Sequence, residues 1–183
     1  MLHATVVTTE DQLQQIHLLN KQNLETALAV DTMRTEGFVT WAYPITLLKE
    51  LNQLAPSVIV LDGDIVAGYA LTAPKESNQF HTDLEYMFQY LEQLQYEGRP
   101  LSLHNFYCMG QICVAKEYRG KGLVQMLYGE HRRLYSDQFK FVLTEISDRN
   151  TRSMKAHEKV GFRTIDTYID DVDTWHVLVW DWS

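Results

Sequence analysis

Val114-Ala115-Lys116-Glu117-Tyr118-Arg119-Gly120-Lys121-Gly122-Leu123-Val124 leads an apolar, β-rich run (Asn105 to Val114) through two glycines into a helical pattern (Leu123 to Ser136). A strand that turns straight into a helix brings several backbone N–H groups and the positive end of the helix to one place, which suits an anion such as a phosphate. Glycine keeps side chains out of the way there, and Arg119 and Lys121 are expected to add charge. An ordinary strand-to-helix turn has the same outline. The spacing is neither Gly-x-Gly-x-x-Gly nor Gly-x-x-x-x-Gly-Lys-Ser/Thr, which weakens dinucleotide and nucleoside-triphosphate readings.

Working outward, Leu2 to Thr8 reads as a strand, and Thr8 or Thr9 caps a helix with Leu13, Ile16 and Leu19 on one face. The stretch to Leu54 reads as mostly helical, with Pro44 opening a new helix. Ser57 to Leu61 and Ile65 to Thr72 form a hairpin about Asp62-Gly63-Asp64. Gln79 to Gln95 has helical spacing and ends at Gly98-Arg99-Pro100. Beyond the glycine turn come a strand (Phe139 to Ser147), a helix (Asn150 to Val160, closed by Gly161) and two strands (Thr164 to Ile169, Trp175 to Trp180) around an acidic turn. Hairpins plus one crossover predict a mixed α/β (α+β) sheet with helices on both faces.

At 183 residues with 45% apolar side chains, the chain is expected to form one domain, 1–183, with a sizeable core. The absence of a long apolar run and of a basic-then-apolar leader predicts a cytoplasmic protein with no membrane contact. Cys108 and Cys113 lie an odd number of residues apart in one expected strand, so they should face opposite sides and remain unbridged. They lack the spacing and partners of a metal site, and no metal is expected. The net charge of −8 argues against nucleic acid as partner. Yet Lys116 to Arg163 holds 11 of the 16 basic residues against 6 acidic ones, a balance of +5 that leaves −13 elsewhere; one segment can meet a polyanion while the rest favours cations.

Arg119-Gly120-Lys121-Gly122-Leu123-Val124 resembles the Gln/Arg-x-x-Gly-x-Gly/Ala pyrophosphate loop of the GNAT superfamily of acyl-CoA-dependent N-acyltransferases, with Val124 in place of the last small residue. Asn150 to Phe162 is similar to that superfamily's Asn-x-x-Ala/Ser-x-x-x-Tyr-x-x-x-Gly-Phe stretch. The resemblance implies a mostly antiparallel sheet splayed at its centre, where free backbone groups of Ile112, Cys113 and Val114 pair with the pantetheine arm of acetyl-CoA. It also implies that amides of Arg119, Gly120, Lys121, Gly122, Leu123 and Val124 hold the pyrophosphate, and that Asn150 and Ser153 border the thiol end. Asn150 suits a helix N-cap as well.

Acetyl transfer to an amine needs a proton acceptor, since amines of lysine-like basicity are largely protonated at neutral pH. Strand alternation puts Glu145 on a face with Phe139, Phe141, Leu143 and Ser147, beyond an apolar row that should raise its pKa; Glu145 also aligns with a Glu that some members of the superfamily use as base. A Glu hydrogen-bonded at the open end of the strand is the plainer reading. By the same resemblance, His157 stands where relatives carry a Tyr that protonates the departing thiolate, although its helix face also suits a packed core histidine. A strand N–H would polarise the carbonyl. The aspartates of the last turn suit a cationic acceptor or a solvated turn, and the Gln79 to Gln95 helix suits core packing, an acceptor wall or a homodimer interface. The expected activity is acetyl transfer from acetyl-CoA to a primary amine of a small molecule or peptide; a non-catalytic acyl-CoA-binding or sensing module is the rival.

Overall fold

Seven of the nine strands join in one sheet that carries the whole arrangement. The computed structural model describes residues 1–183. Strand β1 (Leu2–Val6) leads to helix α1 (Glu10–Gln22), whose Thr9 hydroxyl accepts from the Gln12 N–H while the Gln12 side chain reaches back to the Thr9 N–H. Helices α2 (Val30–Glu36) and α3 (Ile45–Leu54) precede the hairpin of β2 (Val58–Asp62) and β3 (Ile65–Pro74). Helix α4 (Thr82–Leu91) and a two-residue hairpin, β4 (Gln95–Tyr96) with β5 (Arg99–Pro100), come next. The glycine turn then joins β6 (Phe106–Val114) to α5 (Leu123–Tyr135), followed by β7 (Phe141–Ser147), α6 (Thr151–Val160), β8 (Arg163–Ile169) and β9 (Thr174–Asp181). In the large sheet, ordered β1-β2-β3-β6-β7-β9-β8, every pairing is antiparallel except β6 with β7, which the crossover helix α5 joins.

Both faces of the sheet are covered. On one, buried residues of α1, α3 and α4 (Ile16, Leu51 and Phe88 among them) meet Phe106, Phe141, Leu143 and Val177. On the other, Leu123, Leu127 and Tyr128 of α5 and Phe162 meet Tyr107, Val142 and Leu178. No helix is long and apolar enough to cross a membrane.

Three expectations change. The stretch between α1 and α3 is less helical than its spacing suggests: Gly37 stops α2, and the chain beyond it lies against the end of α1, with Val39 N–H donating to Asn23 O and Glu25 N–H to Val39 O. Phe139 precedes β7 and packs on Tyr107 and Tyr135, on the face opposite Phe141. Cys108 and Cys113, both free, face the same core. The reason is a bulge: the pairing of β3 with β6 steps from Ala70↔Ile112 to Thr72↔Met109, two residues against three, and the extra residue reverses the alternation. The bulge is pinned from one side. Gln111 accepts from Asn20 Nδ2 and Tyr69 Oη, both at 2.6 Å, and donates to Trp41 O at 2.9 Å. Tyr43 Oη donates to Gly110 O at 3.0 Å, so close that a Cβ on Gly110 would lie 2.9 Å from it.

The second core face holds two buried histidines. His131 donates from Nε2 to Ala70 O and accepts at Nδ1 from Tyr107 Oη. Burial holds it and His157 near pKa 4, well below the usual value. Both must take up protons on unfolding in acid, so stability is present above about pH 6.5 and lost as pH falls towards 4. Urea unfolding across that range is expected to show the loss, reduced in His131→Gln; a flat profile would contradict it.

Candidate active site

Strands β6 and β7 pair over only three residues on each, Phe106↔Phe141 to Cys108↔Leu143, and then separate. The Thr144 hydroxyl donates to Met109 O at 3.3 Å where they part. Beyond that point the β7-facing edge of β6 has no ladder partner, and a groove of ≈ 670 Å³ opens there. It is bounded by Ile112 to Val114, by the glycine turn, by α6, and by Arg34 to Val39.

The glycine turn supplies the donors. Gly120 and Gly122 have φ of +77° and +80°, a region that costs other residues energy. Gly122 is the N-cap of α5 and offers no side-chain cap, and the amides of Gly120, Gly122, Leu123, Val124 and Gln125 make no hydrogen bond within the protein. Five free N–H groups at the positive end of a helix form an anion cradle. The Val124 side chain packs towards the core on the α5 face, and its N–H remains free.

All the residues expected to hold the cofactor line this groove except Lys121, whose ammonium sits over the Tyr118 ring at 5.0 Å. Arg119 lines it but its guanidinium is committed: it donates to Glu36, to Asn23 Oδ1 at 2.6 Å and to Val114 O at 3.2 Å. The charge expected from Arg119 and Lys121 therefore comes from elsewhere. Arg34, Arg152, Lys155 and Lys159 line the groove with no acidic partner within 4.0 Å. With Arg119 they make five cations against one acid, Glu36. The sequence signal was available: 152, 155 and 159 share one face at helical spacing. Asn150 caps α6 through Ser153 N–H and donates to Phe38 O at 2.8 Å, so its amide ties the groove walls together.

His157, expected as proton donor, is engaged at both ring nitrogens. Its Nδ1 donates to Ser153 O at 2.8 Å, and its Nε2 accepts from Tyr128 Oη at 2.6 Å. It lines the groove, but it is buried and neutral, and neither nitrogen carries a proton free to leave.

Glu145 lies outside this groove, on the opposite side of the sheet, two residues past the last β6–β7 pair. Its Oε1 is sealed from solvent and has no hydrogen-bond partner. Burial raises its pKa to about 7; Tyr168 offsets part of that and Asp170 adds to it. Its charge is felt by Tyr43, Cys108, Tyr90 and Tyr168, which all titrate above their usual range, chiefly through burial. A carboxyl poised near neutrality beside a gap in the sheet can take a proton from a group entering that gap.

Comparisons with known proteins agree with this geometry. The family described as "Acetyltransferase (GNAT) family" matches residues 28–162. No curated protein sequence matches the chain. Among solved structures, a GNAT-family acetyltransferase from Streptococcus agalactiae superposes with a TM-score of 0.68 at 13% identity, over 100% of this chain and 96% of that one. The ribosomal-protein-S18-alanine N-acetyltransferase from Escherichia coli gives 0.62 at 12% identity over 99% and 94%. Arabidopsis thaliana Naa50, solved with the bisubstrate analogue CoA-Ac-MVNAL, gives 0.63 at 17% identity over 99% of each chain.

Gly122→Val tests the cradle. A Cβ at Gly122 meets nothing in the protein closer than Gln125 Oε1 at 4.0 Å, so the cost to folding is the φ strain, about 1–2 kcal/mol. The branched side chain stands beside the free amides, and calorimetry is expected to show acetyl-CoA affinity falling at least about tenfold. Unchanged affinity would show that the diphosphate lies elsewhere.

Proposed function

Because the chain belongs to the acetyltransferase (GNAT) family and works with acetyl-CoA as acyl donor, we propose that it acetylates a primary amine directly, with Glu145 as the base. The carrying observation is the Glu145 carboxyl, with its Oε1 sealed and unpartnered, poised near pH 7 beside the opening between β6 and β7.

In this reading the five free amides of the glycine turn and the groove cations hold the diphosphate and 3′-phosphate, while the unpaired edge of β6 receives the amide-rich arm. The arm leads the acyl group into the opening, and the amine arrives from the Glu145 side. As the amine nitrogen bonds to the acyl carbon, the carbon–sulfur bond breaks and the sulfur departs as thiolate. Glu145 takes the proton that the nitrogen sheds, and that proton passes to the thiolate or to water. A free N–H of the β6 edge stabilises the charge on the carbonyl oxygen. Since His157 has no proton free, this account needs only one titrating side chain.

Thiol release from acetyl-CoA should depend on an added primary amine; tight binding without such release would favour a sensor. At saturating amine, turnover is expected to rise with pH through about 7 as Glu145 ionises. Glu145→Gln should lower kcat by about 10²-fold or more and erase that step while sparing acetyl-CoA affinity. The same change should stabilise the fold. A raised carboxyl pKa favours the folded state below about 4.5 and loses that advantage as pH rises through 7. Above pH 7, Gln is therefore expected to be more stable by about 2–3 kcal/mol in urea unfolding; an unaltered rate would remove Glu145 from the chemistry.

A further inference from the structure

The bulge in β6 decides which backbone groups look into the gap. In an extended strand the N–H and C=O of one residue point to the same side, and those of the next residue to the other. Lys140 N–H donates to Asn105 O at 3.0 Å and the Thr144 hydroxyl donates to Met109 O at 3.3 Å, so before the bulge the odd-numbered residues of β6 face β7. Beyond it, Ala115 N–H donates to Ala67 O at 2.9 Å, and Cys113 pairs with Tyr69 in the same register, so the odd-numbered residues now face β3. The backbone of Ile112 and Val114 is thereby turned to the gap, and both residues line the groove. Ile112 is the first of them past the parting, where β7 has already left the ladder.

An uncharged polar network holds the bulge from the α1 side. Asn20 Nδ2 donates to Gln111 Oε1 at 2.6 Å and to Trp41 O at 3.0 Å, while its Oδ1 accepts from Tyr43 N–H at 3.2 Å. Gln111 Nε2 donates to the same Trp41 O, and its Oε1 takes a second bond from Tyr69 Oη. Tyr43 Oη closes the set on Gly110 O, at a site where even a Cβ on Gly110 would crowd it. Asn20 and Tyr69 are fully buried and Tyr43 is 1% exposed. A buried network whose members partner one another fixes a single geometry, where apolar packing alone tolerates several. None of these side chains lines the groove, so what they give the site passes through the backbone of β6.

Resting on the reading of the gap as the site of acetyl transfer, we propose that Tyr43 and Gln111 are positioning residues for the acyl group: they hold the bulge in the register that turns the Ile112 N–H into the gap, where it donates to the carbonyl oxygen of the thioester. That bond strengthens as the oxygen gains charge during attack, so an amide aimed away from it costs rate more than binding.

The test reads the infrared carbonyl band of acetyl-CoA, isotope-labelled at the acetyl carbonyl and bound to the wild type, Tyr43→Phe, Gln111→Met and Tyr135→Phe. Tyr135 Oη also donates to a backbone carbonyl, Pro56 O at 2.6 Å, outside the groove, so its Phe variant controls for the loss of a tyrosine hydroxyl bond as such. A hydrogen bond to the carbonyl lowers its stretching frequency. The wild type and Tyr135→Phe are expected to show a band below that of free acetyl-CoA. Tyr43→Phe and Gln111→Met should return it towards the free value, with acetyl-CoA affinity by calorimetry kept within about twofold. In both, kcat with any primary amine that the wild type accepts should fall about tenfold, part of the roughly 10²–10³ that loss of an oxyanion donor costs, while the rise through about pH 7 set by Glu145 stays in place. Thermal melts check that each variant is folded, and Tyr43→Phe, which removes a single oxygen, carries the test if Gln111→Met is not. An unshifted band in the bound wild type, a shift retained in Tyr43→Phe, or one lost equally in Tyr135→Phe would each overturn the proposal. A shifted band without thiol release to any amine would instead overturn the amine-acceptor reading, and failure to bind acetyl-CoA would overturn the acetyl-transfer reading on which both rest.

Discussion

The parting of β6 from β7 after three residues on each governs the rest of this molecule. A sheet whose central pair stays zipped buries its polar backbone in the ladder and offers nothing to a ligand. Here the ladder stops at Cys108 and Leu143, and the edge of β6 beyond it stays unpaired at the middle of the protein. The helix that crosses from β6 to β7 begins at the same spot, so its unsatisfied amides and the unpaired strand edge face one groove. One topological feature, a single parallel pair in an otherwise antiparallel sheet, creates both.

The two sides of the opening differ in charge. The α5 and α6 side is cationic, with four unpaired basic side chains around the groove. Glu145, Asp166 and Asp170, away from the groove, have no basic partner within ion-pair distance. Such an arrangement suits a polyphosphate on the groove side and a cation on the other.

Much of this was legible from residue order. The glycine turn, its flanking strand and helix, the β2–β3 hairpin and the capped α6 all depend on neighbours a few positions apart, and such signals survive in one sequence. The raised Glu145 pKa followed from alternation along β7, since Phe141 and Leu143 fix the face it shares. What was not legible depends on distant partners. Arg119 looks like a free cation until Glu36, 83 residues away, is folded against it. His157 looks available until Tyr128 closes its second nitrogen. The pairing of Val177 with both Glu145 and Asp166 depends on a register that sequence spacing does not encode.

The extra residue in β6 also reaches beyond local geometry. Upstream of Gly110, Cys108 faces the core under α1 and α4 and Tyr107 faces α5; downstream, Cys113 lies under α1 and Ile112 towards α5. One strand thus changes phase halfway along and furnishes walls to two chambers. Losing or gaining a single residue here would exchange those walls, turning the groove lining into interior and the interior into lining. Only a change by a pair of residues would leave both faces as they are, which makes the bulge a fixed reference mark against which both chambers are measured.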